Sequence, residues 1–234
     1  MFFSGVIFFD MNGKTALIIG ATGLVGKSLT KALIMDESFS SVKVFVRRST
    51  GIVDPKLQEY ITDFKKPESI KEYLKGDVFF SCLGTTIKQA GSKDNQYKID
   101  YTYQYNLAKI AAENKVPSYA LVSASMANSK SKIFYSRMKG ELDEAISKLP
   151  FKDIRIFRPG ILAGERENPR KMEKLSAKFI DSLAKVIPPL KKYRSIKGSD
   201  VAQAMINDFL KESSDSHKIY ELNEVHNLLH LPLN

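Results

Sequence analysis

Cysteine is nearly absent: Cys82 is the single one in 234 residues. No intramolecular disulfide can form, and a lone thiol in the apolar run Val78–Leu83 reads as a buried, reduced packing residue. That points to a reducing compartment, taken here as the cytoplasm. Histidine is scarce as well, and His217, His226 and His230 all fall near the C-terminus. His226 and His230 have the spacing of a helical metal pair, but Asn227 stands where the zincin pattern needs a glutamate and no third ligand is evident. No metal is expected. A serine-hydrolase elbow is missing, and the run Gly20–Gly26 lacks the Lys-Ser/Thr ending of a phosphate-transfer P-loop at the required offset. No nucleic-acid motif, internal repeat or low-complexity linker is present. The apolar opening Met1–Phe9 is too short to span a bilayer and has neither a basic flank nor a cleavage pattern. It reads as an extension, residues 1–12, ahead of a first strand that begins after Gly13.

What the chain does have is enough apolar content, 43%, for one substantial core, so residues 1–234 are expected to form a single domain. Its net charge of +10 is uneven. Between Arg166 and Lys197 ten basic residues face three acidic ones, so this stretch carries +7 of the total. There Met172, Leu175, Phe179 and Leu183 make a helical stripe with lysines on other faces, which reads as a solvated helix over a core or a lid that attracts an anion. Residues 161–234 are accordingly expected to include a small substrate-binding or lid region.

Apolar periodicity alternates between strand and helix along the chain. Strands are expected at Thr15–Ile19, Val42–Val46, Gln58–Thr62, Val78–Cys82, Tyr119–Ser123 and Ile154–Arg158. Helices are expected at Leu24–Met35, Ser69–Leu74, Gln96–Asn114, Tyr135–Leu149, Pro169–Ile187 and Asp200–Lys211. The alternation implies an α/β fold, a Rossmann-type doubly wound parallel sheet with a small C-terminal substrate region. Ligands of such a sheet sit at the carboxyl ends of its strands, beside the point where the strand order reverses.

The candidate site residues lie at those ends. Gly20-Ala21-Thr22-Gly23-Leu24-Val25-Gly26 joins the first strand to the first helix. Its glycines permit a tight turn and a close approach to a pyrophosphate, and the helix N-terminus offers unpaired N–H groups. Arg47 and Arg48 follow the second strand, where an acidic residue would hold the ribose of NAD and a guanidinium suits a 2′-phosphate. NADP (NADPH) is therefore the expected cofactor, preferred over NAD. Asp63 and Phe64 are placed to flank an adenine, and Leu83, Gly84, Thr85 and Thr86 to approach the cofactor backbone.

Tyr135 and Lys139, four residues apart, stack on one helical face. An ammonium beside a phenol stabilises the phenolate, which makes tyrosine usable as an acid or base. A hydroxyl to polarise a carbonyl is available from Ser123 or Ser125. Arg158 and Arg166 are candidate anchors for an anionic substrate.

These residues resemble the atypical and extended branches of the short-chain dehydrogenase/reductase superfamily, and within it the Tat-interactive-protein-like oxidoreductases. The likeness runs from Lys14 to about Leu210 and also includes Asp100, Lys139-Gly140-Glu141 and Phe157-Arg158-Pro159-Gly160. It implies a Ser-Tyr-Lys triad at Ser123, Tyr135 and Lys139, with Pro159 and Ile161 near the nicotinamide. Asp100 stands where many relatives carry an asparagine that holds a relay water. The implied activity is NADP-dependent oxidoreduction of a carbonyl or alcohol on a small, anionic substrate. Two alternatives share this equipment: an NADP(H)-binding redox sensor acting through a protein partner or a homodimer, and a nucleotide-sugar epimerase or dehydratase. A nucleic-acid partner and an integral membrane segment are not expected.

Overall fold

In a computed structural model, residues 13–164, 195–211 and 215–230 are described. The strand β1 (Lys14–Ile19) owes its place to the run Ala16–Ile19, which is wholly buried. A strand covered on both faces needs apolar residues at every position rather than at alternate ones. Helix α1 (Leu24–Met35) buries Val25, Leu29 and Leu33, a four-residue spacing that makes one stripe. The chain then forms β2 (Phe39–Val46) and β3 (Leu57–Ile61), a 3₁₀ segment at Pro67–Tyr73, and β4 (Val78–Ser81). After β4 come the short helices α2 (Ile87–Ala90) and α3 (Lys93–Tyr97), a π-helical turn at Lys98–Thr102, and α4 (Tyr103–Glu113). Next follow β5 (Ser118–Val122), α5 (Phe134–Ile146) and β6 (Asp153–Arg158). The short strands β7 (Leu162–Ala163) and β8 (Ile196–Lys197) precede α6 (Gly198–Leu210), β9 (His217–Glu221) and α7 (Asn223–Asn227).

Seven strands make one sheet in the order β3-β2-β1-β4-β5-β6-β9, and every pair in it is parallel. The chain moves outward from β1 to β3 and then returns to β4 on the other side of β1, so the order reverses between β1 and β4. Two cores cover the sheet. Ile18 and Phe80 point to the face that α1 and α6 cover with Leu29, Leu33, Met205 and Ile206. Leu17, Ile19 and Phe79 point to the face that α4 and α5 cover with Leu107 and Leu142. Neighbouring residues of one strand thus serve opposite layers.

The expected α/β Rossmann-type fold is the observed one, with local differences. The expected helix 96–114 is broken, because the π-helical turn inserts an extra residue per turn and turns Asp100 into the loop after β4. The stretch 69–74 is 3₁₀ rather than α, led by Pro67 at its first turn. β9 was not anticipated: His217-Lys218-Ile219-Tyr220-Glu221 has little apolar content, as an edge strand paired only with β6 can afford. Within residues 161–234, α6 packs on α1 and β9 extends the main sheet, so these parts belong to the core layers. The helix expected at 169–187 and the extension at 1–12 lie outside the described residues.

Candidate active site

At the carboxyl ends of β1, β4 and β5 lies a cavity of about 430 Å³. Its floor is the β1–α1 turn. Gly20 has φ +80°, and a Cβ there would stand 2.5 Å from the Cys82 carbonyl carbon and oxygen. At Gly26 a Cβ would stand 2.1 Å from the Gly20 oxygen. Both positions therefore need glycine for the turn to close. Gly23 caps α1 without a side-chain hydrogen bond, and the first turn carries no acidic residue. The N–H groups and the positive end of the helix dipole are left to an anion, which fits the pyrophosphate of a dinucleotide.

Thr22, Gly23, Leu24, Val25, Arg48, Leu83, Gly84, Thr85, Ser123, Tyr135 and Lys139 all line this cavity. Lys27 and Ser28, Gln89, Leu162–Gly164 and Lys197–Ser199 line it too. The last two groups are brought in by packing that a sequence pattern does not reveal: a Cβ on Gly198 would stand 2.7 Å from the Leu24 side chain. The described lining residues include four cationic side chains, Lys27, Arg48, Lys139 and Lys197, and no aspartate or glutamate.

The loop after β4 is fastened from behind. Asp100, on the π-helical turn and 1% exposed, accepts from the Thr85 N–H at 2.8 Å, and Gln96 Nε2 donates to the Thr85 carbonyl at 3.2 Å. Asp100 thus holds a loop that lines the cavity. Thr86 caps α2 by accepting from the Gln89 N–H. Cys82 opens this loop and lines the cavity, and burial pushes its thiol up to about 12 against the opposing charge of Lys139. Such a thiol stays protonated and unreactive.

Tyr135 is half exposed at the cavity, while Lys139, one turn deeper on α5, is 2% exposed. The Lys139 ammonium donates to the Val122 carbonyl at the end of β5, 3.2 Å away. Ser123 follows Val122, with its N–H bound to the Phe157 carbonyl at 2.8 Å. Its buried hydroxyl makes no hydrogen bond of good geometry, and neither does Oδ1 of Asp143, one turn beyond Lys139. The two groups nonetheless influence each other. Burial raises the Asp143 pKa, opposed first by Ser123 and then by the charges of Lys139 and Arg158.

Arg158 is turned away from the role expected of it as a substrate anchor. Its Nε donates to Asp143 Oδ2 at 2.9 Å and its Nη1 to Glu221 Oε1 at 2.7 Å. A buried carboxylate on α5 competes for the guanidinium, and the arginine becomes the clamp behind the site. Several other expected residues do not line the cavity. Gly20 and Gly26 shape the turn from beneath, and Arg47 is exposed beside Arg48. Asp63 accepts from the Lys65 N–H at 3.0 Å, and Phe64 is buried in the core against Tyr103. The Pro159 carbonyl accepts from the Ser125 N–H, and the Ile161 carbonyl from the Ile196 N–H. Arg166 lies outside the described residues. No group of residues able to hold a metal occurs among the described residues, where the two C-terminal histidines fall on α7 and the 3₁₀ turn after it.

Residues 20–207 match the sequence profile of a family described as NAD(P)H-binding. The chain belongs to this NAD(P)H-binding family. The protein fmp52, mitochondrial, of Emericella nidulans is 33% identical over 201 residues, 83% of this chain and 86% of that protein. The rat protein HTATIP2 is 30% identical over 217 residues, 91% of this chain and 88% of that one. Among solved structures, the Bordetella bronchiseptica enzyme WbmH in complex with NAD+ has a TM-score of 0.67 at 14% identity, covering 89% of this chain and 75% of that one. At 14% identity this likeness shows a shared fold. The comparison also corrects the cytoplasmic expectation: fungal relatives 33–42% identical are named mitochondrial. A lone reduced thiol fits the mitochondrial interior as well as the cytoplasm, so cysteine usage had no power to separate them. Among the described residues, no helix is long and apolar enough to cross a membrane.

Proposed function

We propose that this NAD(P)H-binding protein is a mitochondrial, NADP-dependent oxidoreductase acting on a carbonyl or alcohol of a small, anionic substrate. The observation that carries this reading is that Ser123, Tyr135 and Lys139 line the same cavity as the glycine turn and Arg48. The four cationic side chains in the described lining, which includes no acidic residue, support an anionic ligand. Bound there, a nicotinamide cofactor would supply or accept the hydride.

The chain's own groups would do the rest. The α1 N-terminus and the glycine turn hold the pyrophosphate, and Arg48 with Arg47 holds the 2′-phosphate. Tyr135 exchanges a proton with the substrate oxygen through its phenol. Lys139, fixed by the Val122 carbonyl, sets a positive charge one turn below that phenol and favours its ionised form. Ser123 has a buried hydroxyl next to Asp143 and can turn it toward the substrate oxygen.

Calorimetric titration of the purified protein with NADPH and with NADH tests the cofactor assignment, and a screen of aldehydes and ketones with NADPH tests the reaction. Tyr135→Phe should lower turnover by about 10²–10⁴-fold while NADPH binding stays near the wild-type value. Turnover unchanged in that variant removes Tyr135 from the chemistry, and failure to bind either nucleotide ends the reading.

A further inference from the structure

The arginine pair stands on a loop, residues 47–51, that has no secondary structure of its own, and selectivity for a phosphate demands that its guanidinium be held in place. Three hydrogen bonds from this loop converge on one side chain of the neighbouring strand. Glu59, on β3 and level with Val44 of β2, accepts from Ser49 Oγ at 2.7 Å, from the Thr50 N–H at 2.9 Å, and from Thr50 Oγ1. The same two hydroxyls brace the next turn. Ser49 Oγ accepts from the Gly51 N–H at 3.1 Å and Thr50 Oγ1 from the Ile52 N–H at 3.2 Å, while Gly51 takes φ +72° and turns the chain. Arg48, which lines the cavity, is therefore followed immediately by the two residues that β3 grips.

We infer that Glu59 is a positioning residue for cofactor selectivity, pinning the loop so that Arg48 and Arg47 face the 2′-phosphate of NADP. The inference rests on the proposed assignment of those arginines to that phosphate. Glu59 itself does not touch the cofactor. As an anion it holds the loop by charge-assisted hydrogen bonds, which are stronger than neutral ones. A preorganised guanidinium loses less freedom when it binds. The consequence is specific: freeing the loop should harm only the nucleotide that carries the 2′-phosphate, because NADH shares the glycine turn but has nothing for the arginines to grip.

The test is calorimetric titration of the full chain with NADPH and NADH, for wild type, Glu59→Ala, Glu59→Gln, the pair Arg47→Ala and Arg48→Ala, and the triple variant. Glu59→Ala should weaken NADPH by ~10-fold, the effect of about one charge-assisted hydrogen bond, and leave NADH within about twofold. Glu59→Gln should retain most of the affinity, since its amide oxygen still accepts from the Thr50 N–H. In the arginine-free background Glu59→Ala should cost nothing further, which a merely structural role would not produce. If Glu59→Ala does not fold, Ser49→Ala with Thr50→Val removes the two hydroxyl bonds from the loop side, leaving that of the Thr50 N–H, and should show a smaller loss confined to NADPH. Wild-type NADPH affinity without Glu59, equal loss of both nucleotides, or an additive loss in the triple variant overturns the inference. NADPH affinity untouched by removing the arginines would instead overturn the parent assignment.

Discussion

At one end of the cavity Lys139 is tied to the Val122 carbonyl, and behind it Asp143, Arg158 and Glu221 form a chain of charges that joins α5 to β6 and β9. At the other end Arg48 stands on an exposed loop held by Glu59, Ser49 and Thr50. The first end is buried: Asp143 is 3% exposed and Arg158 17%. Asp143 and Arg158 are largely desolvated, so each needs the other, and loss of one should be felt by the whole fold. The second end is solvated, where hydrogen bonds contribute little to stability but still fix a direction. In the function proposed above, chemistry and cofactor choice are thus supported by separable parts of the protein.

The sharpest way to break this comparison is Arg158→Ala, which leaves Asp143 buried without its cation. A buried pair broken from one side costs about 3–5 kcal/mol, so the melting temperature should fall by roughly 6–20 °C for a chain of this size. NADPH and NADH affinities measured well below the melt should both stay near wild type, because the arginine lies behind the catalytic end. A melting temperature that hardly moves would mean that Asp143 and Glu221 do not depend on Arg158, and the contrast between the two ends would fail.

Gly26→Ala probes the floor shared by both ends. Its methyl group would stand 2.1 Å from the Gly20 carbonyl oxygen, and the nearest atoms all belong to the Gly20–Ala21 backbone, so no side chain can yield. Overpacking of this kind costs about 1–3 kcal/mol. NADPH and NADH should weaken together, since in the proposed function the turn holds the part that the two nucleotides have in common. Selective loss of NADPH would show that the turn and the arginine loop move as one.

The same division explains what the sequence reveals. β1 and β4 were legible to within one residue, because strands buried on both faces are unbroken apolar runs, and α1 is marked by its stripe and the glycines ahead of it. The placement of Tyr135 and Lys139 on one helix follows from a four-residue spacing. Arg158 was not legible: its partners Asp143 and Glu221 come from elements 15 residues before it and 63 after it, and an arginine near a strand end carries no sign of which carboxylate will claim it. The bond from the Thr85 N–H to Asp100 was not legible, because Asp100 stands on the π-helical turn, which regular helical periodicity does not announce. Glu59 was silent for another reason, as a polar residue on an edge strand reads as solvated until the loop that it grips is folded against it.

The smallest expected effect concerns that residue and carries a definite sign. Burial pushes the Glu59 pKa up, but the hydrogen bonds from Ser49 and Thr50 outweigh it and hold the carboxyl below the usual range. A carboxyl depressed in the folded state contributes stability that is fully present above its unfolded pKa, about 4.3, and that is lost as pH falls through the folded value. The stability difference between wild type and Glu59→Gln should therefore be flat from pH 7 to about pH 5 and shrink at lower pH. At this partly solvated position it should not exceed about 1 kcal/mol. Urea unfolding of both proteins at matched pH measures it. A difference that grows on acidification would show that the charge on Glu59 opposes the folded loop rather than holding it, and the solvated end of the cavity would then need another anchor.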